Sequence, residues 1–216
     1  RDRERQRERD KKDGRKQRET EQQKNSTPAD RRARISVPAG LLTGPVLAPL
    51  IQTGGLMFPY TPTVIFGRAA NYDDFHFTHS NYRYYQFQNS APSEIQVNGE
   101  FTAMTDNEAR YSLAAIRFLQ SMTLSEFGKL AEDKRGVPPP VLRFNYLGEQ
   151  MFRNVPVVIT QFTVNFEPDI DYVPVRGFDT SIPIKMLVTV NLVVQPNPKK
   201  VINEFSVKGF KSGALV

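Results

Sequence analysis

The stretch from Asn89 to Phe166 constrains the fold more than any other part of this sequence, because a strand, a helix and two further strands follow one another in it with almost no slack. Ser93 to Ala103 (SEIQVNGEFTA) has a strict period of two. Ile95, Val97, Gly99, Phe101 and Ala103 fall on one face, and Glu94, Gln96, Asn98, Glu100 and Thr102 on the other. One face is buried and one is wet. Such a strand suits the surface of a β-sandwich, or a barrel wall whose polar face lines a water-filled channel. The residues alone leave both open.

The spacing predicts a helix over Thr105 to Phe127. Thr105 and Glu108 form a capping box, each side chain satisfying the other residue's orphan backbone N–H. Ala109, Leu113, Ile116, Leu119 and Met122 recur at intervals of three and four and form its core face. Gly128 is the expected stop, and Arg110 and Arg117 lie off the stripe in solvent. Pro138-Pro139-Pro140 then delivers an extended chain into Val141 to Leu147, and Val155 to Phe166 reads as a long strand with Pro156 at its start or on an exposed edge. Thr63 to Phe66, Tyr82 to Gln88 and Met186 to Val194 are further strands. Tyr82, Tyr84, Tyr85 and Phe87 are expected to pack against a sheet. Glu167 to Pro174 (EPDIDYVP) reads as a loop, and the basic tail from Lys199 offers Phe205, Val207 and Phe210 for docking.

Charge divides the 216 residues more sharply than length does. Arg1 to Arg34 hold 14 Lys and Arg against 8 Asp and Glu, which is the whole formal net charge of +6; the remainder balances, since 29 − 14 = 15 and 23 − 8 = 15. Residues 1–34 therefore form a charged arm, 35–62 a Gly- and Pro-rich extended segment, and 63–216 the β domain. The arm has no apolar face with which to build a core. It suits a solvated or partner-docked helix, or a phosphate-neutralising tail in which Arg1, Arg3, Arg5, Arg7, Arg9, Lys11, Lys12 and Arg15 are the candidate contacts. Interleaved acids and the lack of aromatics for base stacking weigh against the second use.

Chemistry has few candidates. The chain has no cysteine, so disulfides, thiolate metal sites and cysteine nucleophiles are excluded. No apolar run approaches the roughly 20 residues of a membrane helix. Arg1 is followed by no signal-peptide core, and a longer parent chain is expected. His76 and His79, near Asp73 and Asp74, lack a second motif to complete a metal site. Glu94 and Glu100 lie about 20 Å apart along one strand, too far for a glycosidase pair. No enzyme activity, cofactor or metal is expected.

The blocks SAPSEIQVNGEFTAMTDNEARYSLAAIRFL and PPPVLRFNYLGEQMFRNVPVVITQFTVNF, with the closing EFSVKGFKSGAL, resemble the tail-tube-fold proteins of contractile-tailed bacteriophage baseplates, which sit on the central hub and start the tail tube. The resemblance covers about Tyr82 to Leu215 and leaves out the arm. It implies a mainly β fold with one flanking α-helix, a sandwich or barrel that assembles six copies into a ring around the DNA channel. The implied partners are other copies of itself, the hub protein below and tail-tube proteins above, with wedge, sheath or tape-measure protein as further neighbours. DNA would pass through without specific binding, and no membrane is implied. The implied location is the virion tail baseplate, after synthesis in the bacterial cytoplasm. Glu94, Gln96, Asn98, Glu100 and Thr102 become candidate lumen-facing residues, with the two carboxylates repelling phosphates. The alternative from a different class is a nucleic-acid-binding module that uses the arm on a β-sandwich body.

Overall fold

The computed structural model describes residues 32–91, 94–127, 135–148 and 151–211. Seven antiparallel strands make its main sheet. They are β1 (Arg34–Ser36), β2 (Gly55–Met57), β3 (Thr63–Gly67), β6 (Glu94–Thr102), β7 (Leu142–Tyr146), β8 (Phe152–Phe166) and β11 (Lys185–Val194), in the order β2-β1-β7-β8-β11-β6-β3. Two further pairs stand apart from it. One is the hairpin of β4 (Ala70–His76) and β5 (Arg83–Ser90), and the other joins β9 (Tyr172–Pro174) to β10 (Ser181–Pro183). The described chain is thus mainly β. It carries four α-helices where one was expected: α1 (Ala48–Thr53), α2 (Asp106–Met122), α3 (Pro198–Glu204) and α4 (Val207–Lys211).

The sheet is open and rolled. Strands β2 and β3 stand at opposite edges, yet only Phe58 to Pro62 joins them. Seven flat strands would separate the edges by about 29 Å. Six Cα steps reach at most about 22 Å. The sheet must therefore curl, and aromatic pairs confirm that it does. Phe58, just after β2, meets Phe101 of β6 edge-to-face at 5.7 Å, and Phe66 of β3 meets Phe152 of β8 at 5.3 Å. The concave side holds the core, including Ile35, Leu56, Val97, Phe101, Phe144, Val157 and Val190.

Gly99 shows how tight this packing is. A Cβ at position 99 would overlap the ring of Phe58, so the gap in the apolar series of β6 is the seat of an aromatic ring. Ala33 and Arg34, read from the sequence as the end of the arm, belong to this body: Ala33 is fully buried and Arg34 opens β1. Residues 35–62 are not an extended cover either. Proline sits in the first turn of α1, where its missing N–H costs nothing, and Leu42, Leu50, Leu56 and Phe58 enter the core.

The capping box of α2 forms as the sequence predicts, but the helix ends at Met122 and not at Phe127. Thr123 terminates it: the single proton of its Oγ1 is within reach of the carbonyls of Gln120, at 2.9 Å, and Leu119, at 3.2 Å, acceptors that the last turn leaves free. Of the expected core face, Ala109, Leu119 and Met122 are buried, while Leu113 and Ile116 are only half-buried on its flank. Ser112, Ala114, Ala115 and Phe118 are buried instead, so the true face is rotated by roughly a quarter turn. Small residues at 114 and 115 admit the sheet closely and let Phe118 fill its hollow. Arg110 is not simply solvated. One of its terminal nitrogens donates to the Arg176 carbonyl at 2.6 Å, and its Nε stands 3.1 Å from Asp106 Oδ2, within ion-pair range although off the line of a hydrogen bond.

Pro156 lies inside β8 and not at its start; it pairs with Arg143 of β7 but falls one residue past the last pairing with β11, so on that side it stands at a local edge of the sheet, one of the two placements the sequence allows. Its carbonyl accepts from Gln195 N at 2.9 Å, one residue beyond the end of β11. In an antiparallel ladder a residue's N–H and C=O face the same neighbour. The donor that proline lacks therefore points to where the ladder has already stopped. The predicted loop 167–174 is partly strand, since β9 pairs with β10. As far as Lys211, the last described residue, the basic tail folds as α3 and α4, with Arg68 over the ring of Phe210 at 5.5 Å.

Candidate functional site

The convex face of the main sheet is the first candidate surface. Along β6 the predicted alternation holds: Ile95, Val97, Gly99 and Phe101 are buried, Glu94 and Glu100 are exposed, and Gln96, Asn98 and Thr102 are half-buried. Register extends this face across four strands. Gln96 stands beside Asn191 and then Gln161, with Ile65 on its other side, and Asn98 stands beside Thr189 and Thr163, with Thr63 on its other side. Glu100 continues to Leu187 and Asn165. A bulge at Thr160 keeps the rows aligned. Buried residues of β8 are odd-numbered before it (Val155, Val157, Ile159), while Phe162 and Val164 pack on the core after it.

The result is a wall of amides and hydroxyls with few charges. Lys185 Nζ lies 3.9 Å from both Glu100 and Glu167, so the Glu100 carboxylate shares a cation and does not present a bare negative charge. Thr102 Oγ1 is hydrogen-bonded to the Tyr60 hydroxyl at 2.9 Å. Asn98 Oδ1 is buried without a hydrogen-bond partner among the described residues. The wall is predominantly polar: Ile65 and Leu187 stand exposed among the amides and hydroxyls, and Lys185 is already shared by two carboxylates, so the face offers little to hold phosphates.

The second surface is the β4–β5 hairpin, and here the sequence expectation fails. Tyr82, Tyr84, Tyr85 and Phe87 do not pack against the sheet; all four are exposed, as are Tyr72, Phe75 and Phe77, with exposures of 47% to 76% across the seven. Cross-strand register puts Tyr72, Tyr85 and Phe87 on one face of the hairpin and Phe75 and Tyr84 on the other. Tyr72 meets Phe87 and Phe77 meets Tyr84 edge-to-face, at 5.6 and 5.7 Å. Two aromatic runs flanking the polar turn Thr78-His79-Ser80-Asn81 were the available sequence signal for this hairpin. The packing expected of aromatics on a sheet, applied to the second run, does not hold here.

The histidines belong to this hairpin. His76 Nε2 lies 3.3 Å from Asp74 Oδ2, which also pairs with Arg83 at 3.7 Å, while His79 sits in the turn with φ 65°. Among the described residues no three His, Asp or Glu side chains gather as a metal site would require, and no helix is long and apolar enough to cross a membrane. The arm contacts Arg1, Arg3, Arg5, Arg7, Arg9, Lys11, Lys12 and Arg15 lie outside the described residues.

Sequence reading also missed Tyr111, whose hydroxyl donates to the Met57 carbonyl and accepts from the Met57 N–H, each at 2.8 Å. Burial pushes this phenol above its usual pKa of 10.0, against the smaller opposing effect of those hydrogen bonds. Met57 is the last residue of edge strand β2, so one side chain of α2 closes that edge. The opposite edge strand, β3, has β6 as its sheet neighbour on one side and is exposed along most of its length.

Fold and surfaces together define a mainly β protein with an open rolled sheet, a predominantly polar outer face and an uncovered aromatic hairpin. No protein-family model matches the sequence, and no curated protein matches it.

Proposed function

We propose that this chain is a structural virion protein: a ring-forming component of a contractile-tail baseplate that initiates or adapts the tail tube and lines the DNA channel. The observation that carries the reading is the β4–β5 hairpin, in which all seven large aromatics face solvent. A two-stranded hairpin is marginal on its own, and a contiguous exposed aromatic surface marks a protein-protein contact. Here the hairpin is an arm that docks on a neighbour.

Two other features support the same reading. Tyr111 closes the β2 edge, whereas β3 leaves a row of backbone groups on which the β4–β5 hairpin of a neighbouring copy adds, linking six copies into one ring. The wall of Gln96, Asn98, Gln161, Thr163, Thr189 and Asn191 then faces the channel. Its work is to let DNA slide past without binding. The hub below and tube rings above, named by the sequence resemblance, are the axial partners, and no step of this function calls for catalysis.

Native mass measurement and negative-stain imaging of the full chain test the proposal. The expected result is a closed ring of six copies, lost when Tyr82, Tyr84 and Tyr85 are replaced by Ser. Single copies at every concentration up to the solubility limit would refute it.

A further inference from the structure

A cleft of about 740 Å³ opens where β8 begins. Its lining includes Arg143, Arg153 and Lys200, with the amides of Asn154 and Gln195, over an apolar floor that includes Val155 and Pro156; none of its lining residues is Asp or Glu. Local structure holds the cations there. Asn154 takes a left-handed turn (φ 52°), its N–H donates to Asn145 Oδ1 at 2.7 Å, and its carbonyl accepts from the Arg143 guanidinium at 3.4 Å. Beyond β11, the bond from Gln195 N to the Pro156 carbonyl and the Asn197 cap of α3 bring Lys200 to the rim. Lys200 pairs with Glu204 one helical turn away at 3.9 Å, both side chains about two-thirds exposed, and such a pair contributes little.

The opposite charge stands at the other end of the same strand. Immediately after Phe166 the chain reads Glu167-Pro168-Asp169-Ile170-Asp171, an acidic and apolar alternation with Asp169 and Asp171 exposed. Strand β8 is 15 residues long. From Asn154 in the cleft to Phe166 is 166 − 154 = 12 steps, about 40 Å at roughly 3.3 Å per residue, so one copy cannot bring its own acidic segment to its own cleft.

We propose that the cleft receives the 167–171 segment of a second copy, head to tail, with Asp169 and Asp171 on Arg143, Arg153 and Lys200 and the Pro168 and Ile170 side chains on the apolar floor. Arginine in a cleft favours carboxylates through paired N–H donors. The lining has no aromatic on which a nucleic-acid base would stack, which favours the peptide over DNA. A contact between two different patches is heterologous and propagates from copy to copy. The inference rests on the assembly reading only in taking a second copy of the chain as the occupant.

Two charge-reversed full-length variants test it, R143E/R153E/K200E and D169K/D171K, read by sedimentation velocity at low and moderate salt. Each alone sets like charge against like, and self-association weakens by at least about tenfold relative to the native chain. An equimolar mixture restores it, because each variant's cleft now matches the other's segment. The neutral variants R143Q/K200Q and D169N/D171N weaken association in the same direction if a reversed variant fails to fold. A native chain that does not associate at low salt, variants that associate like the native chain, or a mixture that regains nothing would each overturn the proposal. So would a duplex oligonucleotide that displaces the second copy from the cleft. Closed native rings indifferent to these substitutions would leave the ring reading standing without this contact. Open, salt-sensitive chains would do the reverse.

Discussion

Replacing Gly99 by alanine asks whether the Phe58 ring seated on β6 is what closes the rolled sheet. The added Cβ overlaps ring atoms of Phe58, a residue 1% exposed and already edge-to-face with Phe101, so the ring has no free volume into which to retreat. Overpacking of this kind costs about 1–3 kcal/mol. Phe58→Ala removes the ring and leaves a cavity, at a cost of about 3–5 kcal/mol. If the two effects were independent, the double variant would lose about 4–8 kcal/mol. The structure predicts otherwise. Without the ring, alanine at 99 meets no obstacle and gains the roughly 0.5–1 kcal/mol by which glycine weakens a strand. The double variant should therefore match Phe58→Ala or exceed it slightly in stability, a coupling of about 1–4 kcal/mol in favour of the pair. Urea unfolding followed by far-UV circular dichroism reads it. With a slope near 2 kcal/mol per molar, Gly99→Ala alone lowers the midpoint by about 0.5–1.5 M. Additive losses at constant slope would refute the argument that Phe58 occupies the place of a side chain at 99.

Tyr111→Phe removes both hydrogen bonds to Met57 and should cost about 1–3 kcal/mol in the same assay, with faster amide exchange at Met57 as its local signature. Because the folded state holds the Tyr111 proton more tightly than the unfolded chain does, its contribution is intact below the ordinary value of 10.0 and is lost as pH rises through the raised folded value. The stability gap between the native chain and Tyr111→Phe should accordingly narrow above about pH 10; a gap that widens there contradicts the burial argument. Gln96→Arg with Gln161→Arg, both on the solvent face, should change stability by no more than about 0.5 kcal/mol yet cause assembled rings to retain duplex DNA in a salt-dependent way. Retention equal to that of native rings would take the polar wall out of the channel. Truncating Phe118 to alanine should cost about 3–5 kcal/mol, whereas Leu113→Ala, on the half-buried flank, should cost clearly less.

Local rules were legible wherever one residue's neighbours in the chain are also its neighbours in space. The two faces of β6, the capping box of Thr105 and Glu108, and the strands at 63–66, 142–146 and 186–194 all follow from periods of two or 3.6 and from side-chain reach. Where two elements compete for the same surface, those rules lost their grip. The stripe 109-113-116-119-122 is a sound apolar line on α2. The sheet nevertheless chose the face with Ala114, Ala115 and Phe118, because small residues allow closer approach and a single large ring fills the hollow. The same competition misplaced the end of α2. Apolar Leu124 and Phe127 prolong the helical pattern in sequence, but Thr123 caps the last carbonyls and Glu126 pairs with Val137 instead.

The second strand of the hairpin was recognisable as β, while Ala70–His76 reads from sequence as a loop or an irregular strand, and nothing in either pattern says which side water is on. Exposure is a property of what else the chain has left to place, and the concave core was already filled by β6, β8, β11 and α2. The charged cleft and its acidic counterpart are the same case at larger scale. Arg143, Arg153 and Lys200 are scattered over 58 positions (200 − 143 = 57 steps) and mean nothing together until β7, β8 and the start of α3 converge. A chain writes its local periods directly into its residues, because they depend on backbone geometry alone. Which faces meet, and which are left for a partner, depends on volume and charge shared among segments far apart, and those become neighbours only after folding.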